Sequence, residues 1–327
     1  MILAGDIGGT KTNIAFFRDG KQPDVVVQQT FPSRAHKGLE EIVRQFLSAH
    51  ALQVRHAAFG VAGPVRNGRC EATNLPWVVD AAALAAELGT RDVWVINDLE
   101  ANAYGIPALA PSDLVTINAG ATDAAGNAAI IAAGTGLGEA GLYWDGRRHH
   151  PFASEGGHAN FAPGDELEAE LLRWLSTQFD HVSWERLVSG PGLGNVYRFL
   201  RDTRRGEEPA WLADEMRTGD PAATISRAAQ SGTSPLCVQA LDLFMGLYGS
   251  EAGNLALKIM ANGGVYVGGG IAPKNLDKLK DGPFMKRFVA KGRMQRLLEA
   301  MPVKVILNDK TALLGAARCA AVRSGLI

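Results

Sequence analysis

The chain has 327 residues, of which 46% are hydrophobic and 20% charged, as is typical of a well-packed protein with one large or two ordinary domains. Its formal net charge of −1 gives no basic excess for binding nucleic acid, and no run of about 18 apolar residues predicts a membrane span. Three widely spaced cysteines and an N-terminus without a signal-peptide pattern favour a reducing cytoplasm.

The first predicted elements are strands around a glycine-rich turn. Ile2–Ala4 predicts a strand, Gly5–Thr10 a turn, and Thr12–Phe17 a strand that passes through a predicted hairpin turn at Arg18–Lys21 into a third strand at Asp24–Gln29. The glycine-rich turn is one residue short of a Walker A phosphate loop. Because such a loop must open a helix, and a strand is predicted here, we expect an anion-binding turn between two strands.

The rest of the first half alternates helices and strands. Helices are predicted at Gly38–His50 and Asp80–Leu88, with an apolar strand at Ala57–Val61 between them. A second apolar strand, Val93–Asp98, ends in Asn-Asp and enters a predicted helix at Leu99–Tyr104. This spacing is typical of parallel strands joined by helical crossovers.

The second half repeats this order. Ala128–Ala133 predicts a strand, Gly134–Gly138 a glycine-rich turn, and Ala140–Trp144 a strand before an Asp-Gly hairpin turn. The stretch 136–141 fits the dinucleotide pattern G-x-G-x-x-G, but no helix is predicted after it, so we reject that interpretation. The later counterparts are a strand at Gly264–Val267, a strand at Val303–Asp309 that again ends in Asn-Asp, and a helix at Thr311–Val322.

The second half is longer because of a predicted helical insertion between Asp165 and Asn254. Its helices are predicted at Glu166–Phe179, Ser183–Val188, Asn195–Thr203, Asp220–Gln230 and Pro235–Met260. We therefore expect a duplicated α/β protein with a ligand cleft between its halves. The expected small domain is residues 1–110 plus 308–327, and the large domain is residues 111–307.

Several segments resemble a known group of sugar kinases. The turns Gly5–Thr10 and Gly134–Gly138 and the run Gly268–Pro273 resemble the actin/hexokinase/heat-shock-ATPase superfamily, whose domains are ribonuclease H-like. Ile96–Asp98, Ser154–His158 and Glu185–Gly192 resemble, more narrowly, the bacterial ATP-dependent glucokinases, and the resemblance covers essentially the whole chain. The first turn is also close to that of the ROK kinases, but their cysteine-rich zinc cluster and the helix-turn-helix of ROK repressors have no counterpart in this sequence.

The resemblance implies that the protein is a cytoplasmic homodimer that transfers phosphate from ATP, with Mg²⁺, to the 6-hydroxyl of D-glucose. It implies that Asp98 is the general base and that Asp6 binds the metal. Sugar ligands would be Asn97, Asp98, Glu155, His158 and Glu185. Nucleotide contacts would be Gly8, Gly9, Thr10, Lys11, Gly134, Thr135, Gly136, Gly268, Gly269 and Gly270.

Each of these residues also has a purely structural interpretation. Asp98 is equally a helix N-cap from the residues alone, and its counterpart Asp309 is expected only to cap its helix. Asp6 could form an Asx-turn, and the Glu155–His158 stretch could be a solvated surface loop. Glu185, on spacing alone, fits an exposed helical position.

Two other functions remain open at this stage. One is a kinase for another hexose, such as fructose, mannose or an N-acetylhexosamine, because one pocket group can reverse sugar preference. The other is a sugar-sensing or actin-like ATPase without sugar kinase activity, because a fold does not fix a function.

Overall fold

The protein, described by a computed structural model over residues 1–20 and 23–327, folds into two compact units. The first unit consists of Met1–Leu114, Ala140–Ala153 and Asn308–Ile327. The second unit consists of Val115–Glu139 and Ser154–Leu307. Within the described ranges, no helix combines the length and the apolar character needed to cross a membrane.

The regular elements alternate along the chain. The strands are β1 (Ile2–Ile7), β2 (Lys11–Arg18), β3 (Asp24–Pro32), β4 (His56–Val61), β5 (Val65–Arg66), β6 (Arg69–Glu71), β7 (Val78–Asp80), β8 (Val93–Asn97), β9 (Leu114–Asn118), β10 (Ala128–Ala133), β11 (Leu137–Trp144), β12 (His149–Ser154), β13 (Gly264–Gly268) and β14 (Val303–Ile306). The helices are α1 (Leu39–Ala49), α2 (Ala81–Leu88), α3 (Asp98–Gly105), α4 (Glu166–Ser176), α5 (Gly190–Asp202), α6 (Ala210–Thr218), α7 (Pro221–Gln230), α8 (Pro235–Ile259), α9 (Leu276–Lys280), α10 (Pro283–Val289), α11 (Gln295–Glu299) and α12 (Thr311–Arg323).

The first unit is built on a five-stranded sheet in the order β3-β2-β1-β4-β8. Alternate side chains of its strands point to opposite faces. Leu3 therefore belongs to one buried cluster with Phe46 of α1, whereas Ala4 belongs to another with Leu313 of α12. Helices thus cover both faces of the sheet.

The parallel strands of this sheet end at a common edge. β1 pairs parallel with β4, and β4 pairs parallel with β8. In this register Ile7 lies beside Val61, and Val61 lies beside Asn97. The glycine-rich turn after β1 and the Asn-Asp pair after β8 therefore lie at the same edge. A small sheet of β5, β6 and β7 completes the strands of this region.

A second sheet has the order β12-β11-β10-β13-β14-β9. β13 runs parallel to both β10 and β14, so Ala132 lies beside Gly268 near the carboxyl ends of β10 and β13. β10 is apolar throughout, as expected for a strand covered on both faces. In the second unit the long buried helix α8 packs against α5, α7 and α10.

The two sheets confirm the predicted duplication and fold class. In each sheet three consecutive strands lie in the order third, second, first, and two parallel strands follow on the other side. In the second sheet β9 adds a further strand beyond them. The predicted helical insertion is also confirmed, because α4 to α8 lie between β12 and β13 in the chain.

The helix predicted at Ser183–Val188 is wrong, because that stretch forms only a 3₁₀ turn at Trp184–Arg186. Helix α5 begins at Gly190 instead of the predicted Asn195. Its start is set by Ser189, whose hydroxyl accepts the amide of Gly192 at 3.0 Å.

The sequence interpretation missed α6 and the short helices α9 to α11, which lack long apolar periodicity. The predicted hairpin turn Arg18–Lys21 falls partly on Lys21, which lies outside the described residues.

Candidate functional site

The first glycine-rich turn connects β1 to β2 without a helix. The Gly8 amide donates to the carbonyl of Lys11 at 3.1 Å, which closes the turn. The buried hydroxyl of Ser33 donates to the carbonyl of Gly8 at 2.7 Å and lies 2.9 Å from the hydroxyl of Thr12. A Cβ at Gly9 would lie 2.7 Å from Cβ of Asn74, so the turn packs closely on that residue. The strand after the turn confirms that this is no Walker A loop.

Asp6 precedes this turn and is half-buried. Burial raises the pKa of its carboxyl group, the 3.3 Å hydrogen bond from Asn13 and the charge of Lys11 lower it, and the charge of Asp309 raises it.

The expectation that Asp309 caps its helix is wrong. Helix α12 begins at Thr311 after Lys310, and no side chain caps it.

The Asn97-Asp98 pair stands where β8 becomes α3. Asn97 is the N-cap. Its side-chain oxygen Oδ1 accepts hydrogen bonds from the amides of Leu99 at 2.8 Å and Glu100 at 3.3 Å. Its amide group donates to the carbonyl of Gly63 at 3.1 Å. Asp98 is the first residue of the helix, and its Oδ1 accepts the Leu99 amide at 2.9 Å. The capping role that the sequence left open for Asp98 therefore belongs to Asn97.

The second glycine-rich turn connects β10 to β11, again without a helix. The Gly134 amide donates to the carbonyl of Gly136 at 2.9 Å, and the carbonyl of Gly134 accepts the amide of Gly190 at 2.8 Å. Glu185 Oε2 accepts the amide of Leu137 at 3.0 Å. A Cβ at Gly136 would lie 2.5 Å from that same oxygen, so the turn and Glu185 are in close contact.

The Glu155–His158 segment forms a 3₁₀ turn in which the side chains of Glu155 and His158 are exposed. Its two glycines make close approaches. A Cβ at Gly156 would overlap Oε2 of Glu139, and a Cβ at Gly157 would overlap the carbonyl oxygen of Leu137. The segment therefore packs directly on β11, the strand that follows the second turn.

A pair of buried carboxyl groups lies behind this segment, and no sequence pattern predicted it. Glu139 is 1% exposed and Glu251 is 0% exposed. Burial, and then the charge of Glu251, raise the pKa of Glu139 to about 8, and Lys258 lowers it. Lys258 Nζ lies 3.4 Å from Glu251 Oε1.

The second unit also contains a cavity of about 1060 Å³. Among the predicted nucleotide residues, Gly134, Thr135 and Gly270 line it. Gly136 and Gly269 are adjacent to them in the chain, and Gly268 is one position further away. Tyr197, Arg201 and Lys274 form part of the wall and were not predicted. A cavity of this size accommodates a nucleotide-sized ligand.

The predicted site residues divide between the units. The first unit carries Asp6, Gly8, Gly9, Thr10, Lys11, Asn97 and Asp98. The second unit carries Gly134, Thr135, Gly136, Glu155, His158, Glu185, Gly268, Gly269 and Gly270.

Comparison with known proteins identifies the family. The family model described as glucokinase matches residues 3–323. The glucokinase of Synechocystis sp. is 43% identical, over 98% of this chain and 97% of its own length. The solved structure of glucokinase from an Antarctic psychrotroph is 33% identical with a TM-score of 0.85, and the match covers 98% of each chain. A ROK family glucokinase from Streptomyces griseus, solved in complex with glucose and AMPPNP, shares the fold at 23% identity and a TM-score of 0.62, over 98% of this chain and 99% of its own. The chain therefore belongs to the glucokinase family.

Proposed function

We propose that Asp98 is the general base in the transfer of a phosphoryl group from ATP to glucose by this glucokinase-family protein. The activity itself follows from family membership over nearly the whole chain. The observation that carries the role of Asp98 is that Asn97, and not Asp98, caps α3. A carboxylate at the end of a buried strand can accept the proton of the 6-hydroxyl as that oxygen attacks the γ-phosphoryl group.

We assign the sugar to Asn97, Asp98, Glu155, His158 and Glu185. Sugar hydroxyls both donate and accept hydrogen bonds, so carboxylates, an amide and an imidazole suit them. The exposed side chains of Glu155 and His158 are accessible to a sugar, while the two glycines between them let the segment pack on β11. The amide of Asn97 has a second hydrogen besides the one donated to Gly63.

We assign the nucleotide to the two glycine-rich turns and to the cavity of the second unit. Gly8, Gly9, Thr10 and Lys11 would bind phosphate through backbone amides, a hydroxyl and a positive charge. Gly134, Thr135, Gly136, Gly268, Gly269 and Gly270 would bind the remaining phosphates and the adenosine. The placement of Gly134, Thr135 and Gly270 on one cavity wall supports this assignment.

We propose that Asp6 holds Mg²⁺. Two carboxylates of the first unit, Asp6 and Asp309, are near enough for the charge of Asp309 to raise the pKa of Asp6. Hard, negatively charged oxygen ligands fit a divalent cation. When bound, the ion would neutralise charge on the ATP phosphates.

Three broader assignments complete the proposal. Residues 1–110 with 308–327 would act as the small domain and residues 111–307 as the large domain. The presence of Asn308–Ile327 in the first unit supports this division, although Ala140–Ala153 also belongs to the first unit. The protein would act as a homodimer in the cytoplasm, as the family resemblance implies.

The Asp98→Asn variant tests the central assignment. Asparagine keeps the size of the side chain but cannot take up a proton at neutral pH. We expect glucose binding, measured by calorimetry, to persist while kcat falls by about 10²- to 10⁴-fold. A variant with near wild-type turnover would show that Asp98 is not the base.

A further inference from the structure

The peptide groups of Leu137 lie between two segments that carry proposed sugar ligands. The amide of Leu137 donates to Glu185 Oε2 at 3.0 Å. The carbonyl of the same residue lies against Gly157, where a Cβ would overlap it. Leu137 directly follows Gly136, so the sugar-binding segments of the second unit touch the end of the second phosphate turn.

The segment from Glu185 to Gly190 is fixed to this turn at both of its ends. At one end Glu185 binds the Leu137 amide, and at the other the Gly190 amide donates to the carbonyl of Gly134 at 2.8 Å. Ser189 holds the segment together, because its hydroxyl donates to the carbonyl of Glu185 at 2.7 Å and caps α5. The segment and the turn therefore form one hydrogen-bonded unit.

The carboxylate of Glu185 has two oxygens, and one of them is bonded to the turn. Oε2 is occupied by the Leu137 amide and is the oxygen nearest to Gly136. Among residues 1–20 and 23–327, Oε1 accepts no hydrogen bond that would compete with a sugar hydroxyl. One side chain can thus bind the sugar and the turn at the same time.

We propose that Glu185 is a positioning residue for the second phosphate turn, and that it couples sugar binding to nucleotide binding. The coupling rests on the proposed role of Glu185 as a sugar ligand. A sugar hydroxyl on Oε1 restricts the rotation of the carboxylate, and this restriction holds the Leu137 amide and the turn in their binding conformation. A ligand that removes this freedom lowers the cost of binding for the second ligand.

The test measures the affinity of AMPPNP with Mg²⁺ by calorimetry in the absence of sugar. Glu185→Ala removes the acceptor of the Leu137 amide, and we expect about tenfold weaker binding, since hydrogen bonds to charged groups are strong. Glu185→Gln keeps an acceptor oxygen in place, and we expect its Kd to remain within about threefold of wild type. Equal wild-type affinity in both variants would overturn the positioning role.

The coupling is measured as the ratio of the AMPPNP Kd values without and with saturating glucose. We expect glucose to tighten AMPPNP binding several-fold in the wild type and to have almost no effect in Glu185→Ala at a glucose concentration that saturates this variant. An unchanged ratio in Glu185→Ala would overturn the coupling.

His158→Ala is the matched control, because the amide of His158 donates to the carbonyl of Glu155 at 3.0 Å, within its own turn. We expect this variant to bind glucose more weakly but to bind AMPPNP without sugar as the wild type does. The glucose affinity of Glu185→Ala separates the two assignments. If it is unchanged, Glu185 is not a sugar ligand, while the sugar-free AMPPNP result still decides the positioning role.

If a thermal melt shows that Glu185→Ala is unfolded, Glu185→Asp replaces it, since its shorter side chain withdraws the carboxylate from Leu137.

Discussion

The two glycine-rich turns each join two strands but are held in place by different chemistry. The first turn is held by Ser33, a fully buried hydroxyl that donates to Gly8. The second is held by the carboxylate of Glu185, a residue that we also assign to the sugar. The first turn therefore has a fixed support within its own unit, whereas the support of the second can respond to a ligand.

The two Asn-Asp pairs differ in a similar way. Asn97 caps α3, so Asp98 enters the helix as its first residue. The side chain of Asn308 instead accepts the amide of Lys310 at 2.9 Å, and the helix begins only at Thr311. The same dipeptide after equivalent strands thus places its aspartate differently, and only the first arrangement leads us to a general base.

The largest expected effect comes from comparing Asp98→Asn with Asp309→Asn. We expect kcat to fall by about 10²- to 10⁴-fold in the first variant, because a base in the transition state is lost. Asp309→Asn removes only a charge near Asp6, and we expect kcat within about tenfold of wild type. Steady-state kinetics at saturating glucose and ATP measure both. Equal losses would mean that the two pairs are functionally equivalent after all.

Next in size is the effect of Ser33→Ala on the first turn. The substitution leaves the partly buried carbonyl of Gly8 without its donor and the buried hydroxyl of Thr12 without its partner, which costs about 1–3 kcal/mol of unfolding free energy. We also expect AMPPNP to bind more weakly by the same factor with and without glucose, because Ser33 contacts no proposed sugar ligand. Urea unfolding and calorimetry measure these quantities.

Ser48→Ala serves as the control for that variant. The hydroxyl of Ser48 donates to the carbonyl of Gln45 on the exposed surface of α1, so its loss should change stability by less than about 0.5 kcal/mol. A glucose-dependent change in Ser33→Ala would contradict the contrast between the two turns.

A smaller effect is expected from removing the threonine hydroxyls of the turns. Thr10→Val and Thr135→Val keep the volume of the side chain but lose a donor to phosphate. We expect each to raise the KM for ATP about tenfold, as for one hydrogen bond to a charged group. Initial rates at varied ATP measure this, and an unchanged KM and kcat in Thr10→Val would exclude Thr10 as a phosphate ligand.

Much of the fold could be predicted because local patterns and topology agree. Each half showed apolar strands, a glycine-rich turn and an Asn-Asp junction, and these features specify the sheet order that both halves adopt. The start of α5 could not be placed, since Gly190 and Gly192 are poor helix formers and only the cap by Ser189 and the packing explain it.

The site was less predictable because its supports come from distant parts of the chain. Glu185 binds Leu137 across 48 positions, and no local pattern indicates such a contact. The burial of Glu139 beneath Gly156 likewise depends on how two segments pack. Asn97 shows the limit at short range, since Asn and Asp are equally good caps and only the backbone of the junction selects one.

The smallest expected effect concerns the groups buried behind the turns. Behind the first turn these are the hydroxyls of Thr12 and Ser33, which do not titrate, whereas Glu139 and Glu251 lie behind the second. The pKa of Glu139 is raised to about 8 from an ordinary value of 4.5, so the folded protein keeps a proton that the unfolded chain releases. The free energy of unfolding should therefore fall as the pH rises from about 4.5 to about 8, by at most about 1.4 kcal/mol per pH unit, from this group. Glu139→Gln has no such proton to release, and urea unfolding should show the variant gaining about 1 kcal/mol relative to wild type between pH 7 and pH 8. The exposed Glu166→Gln should run parallel to wild type, and if Glu139→Gln did so as well, the proton would not be held at Glu139.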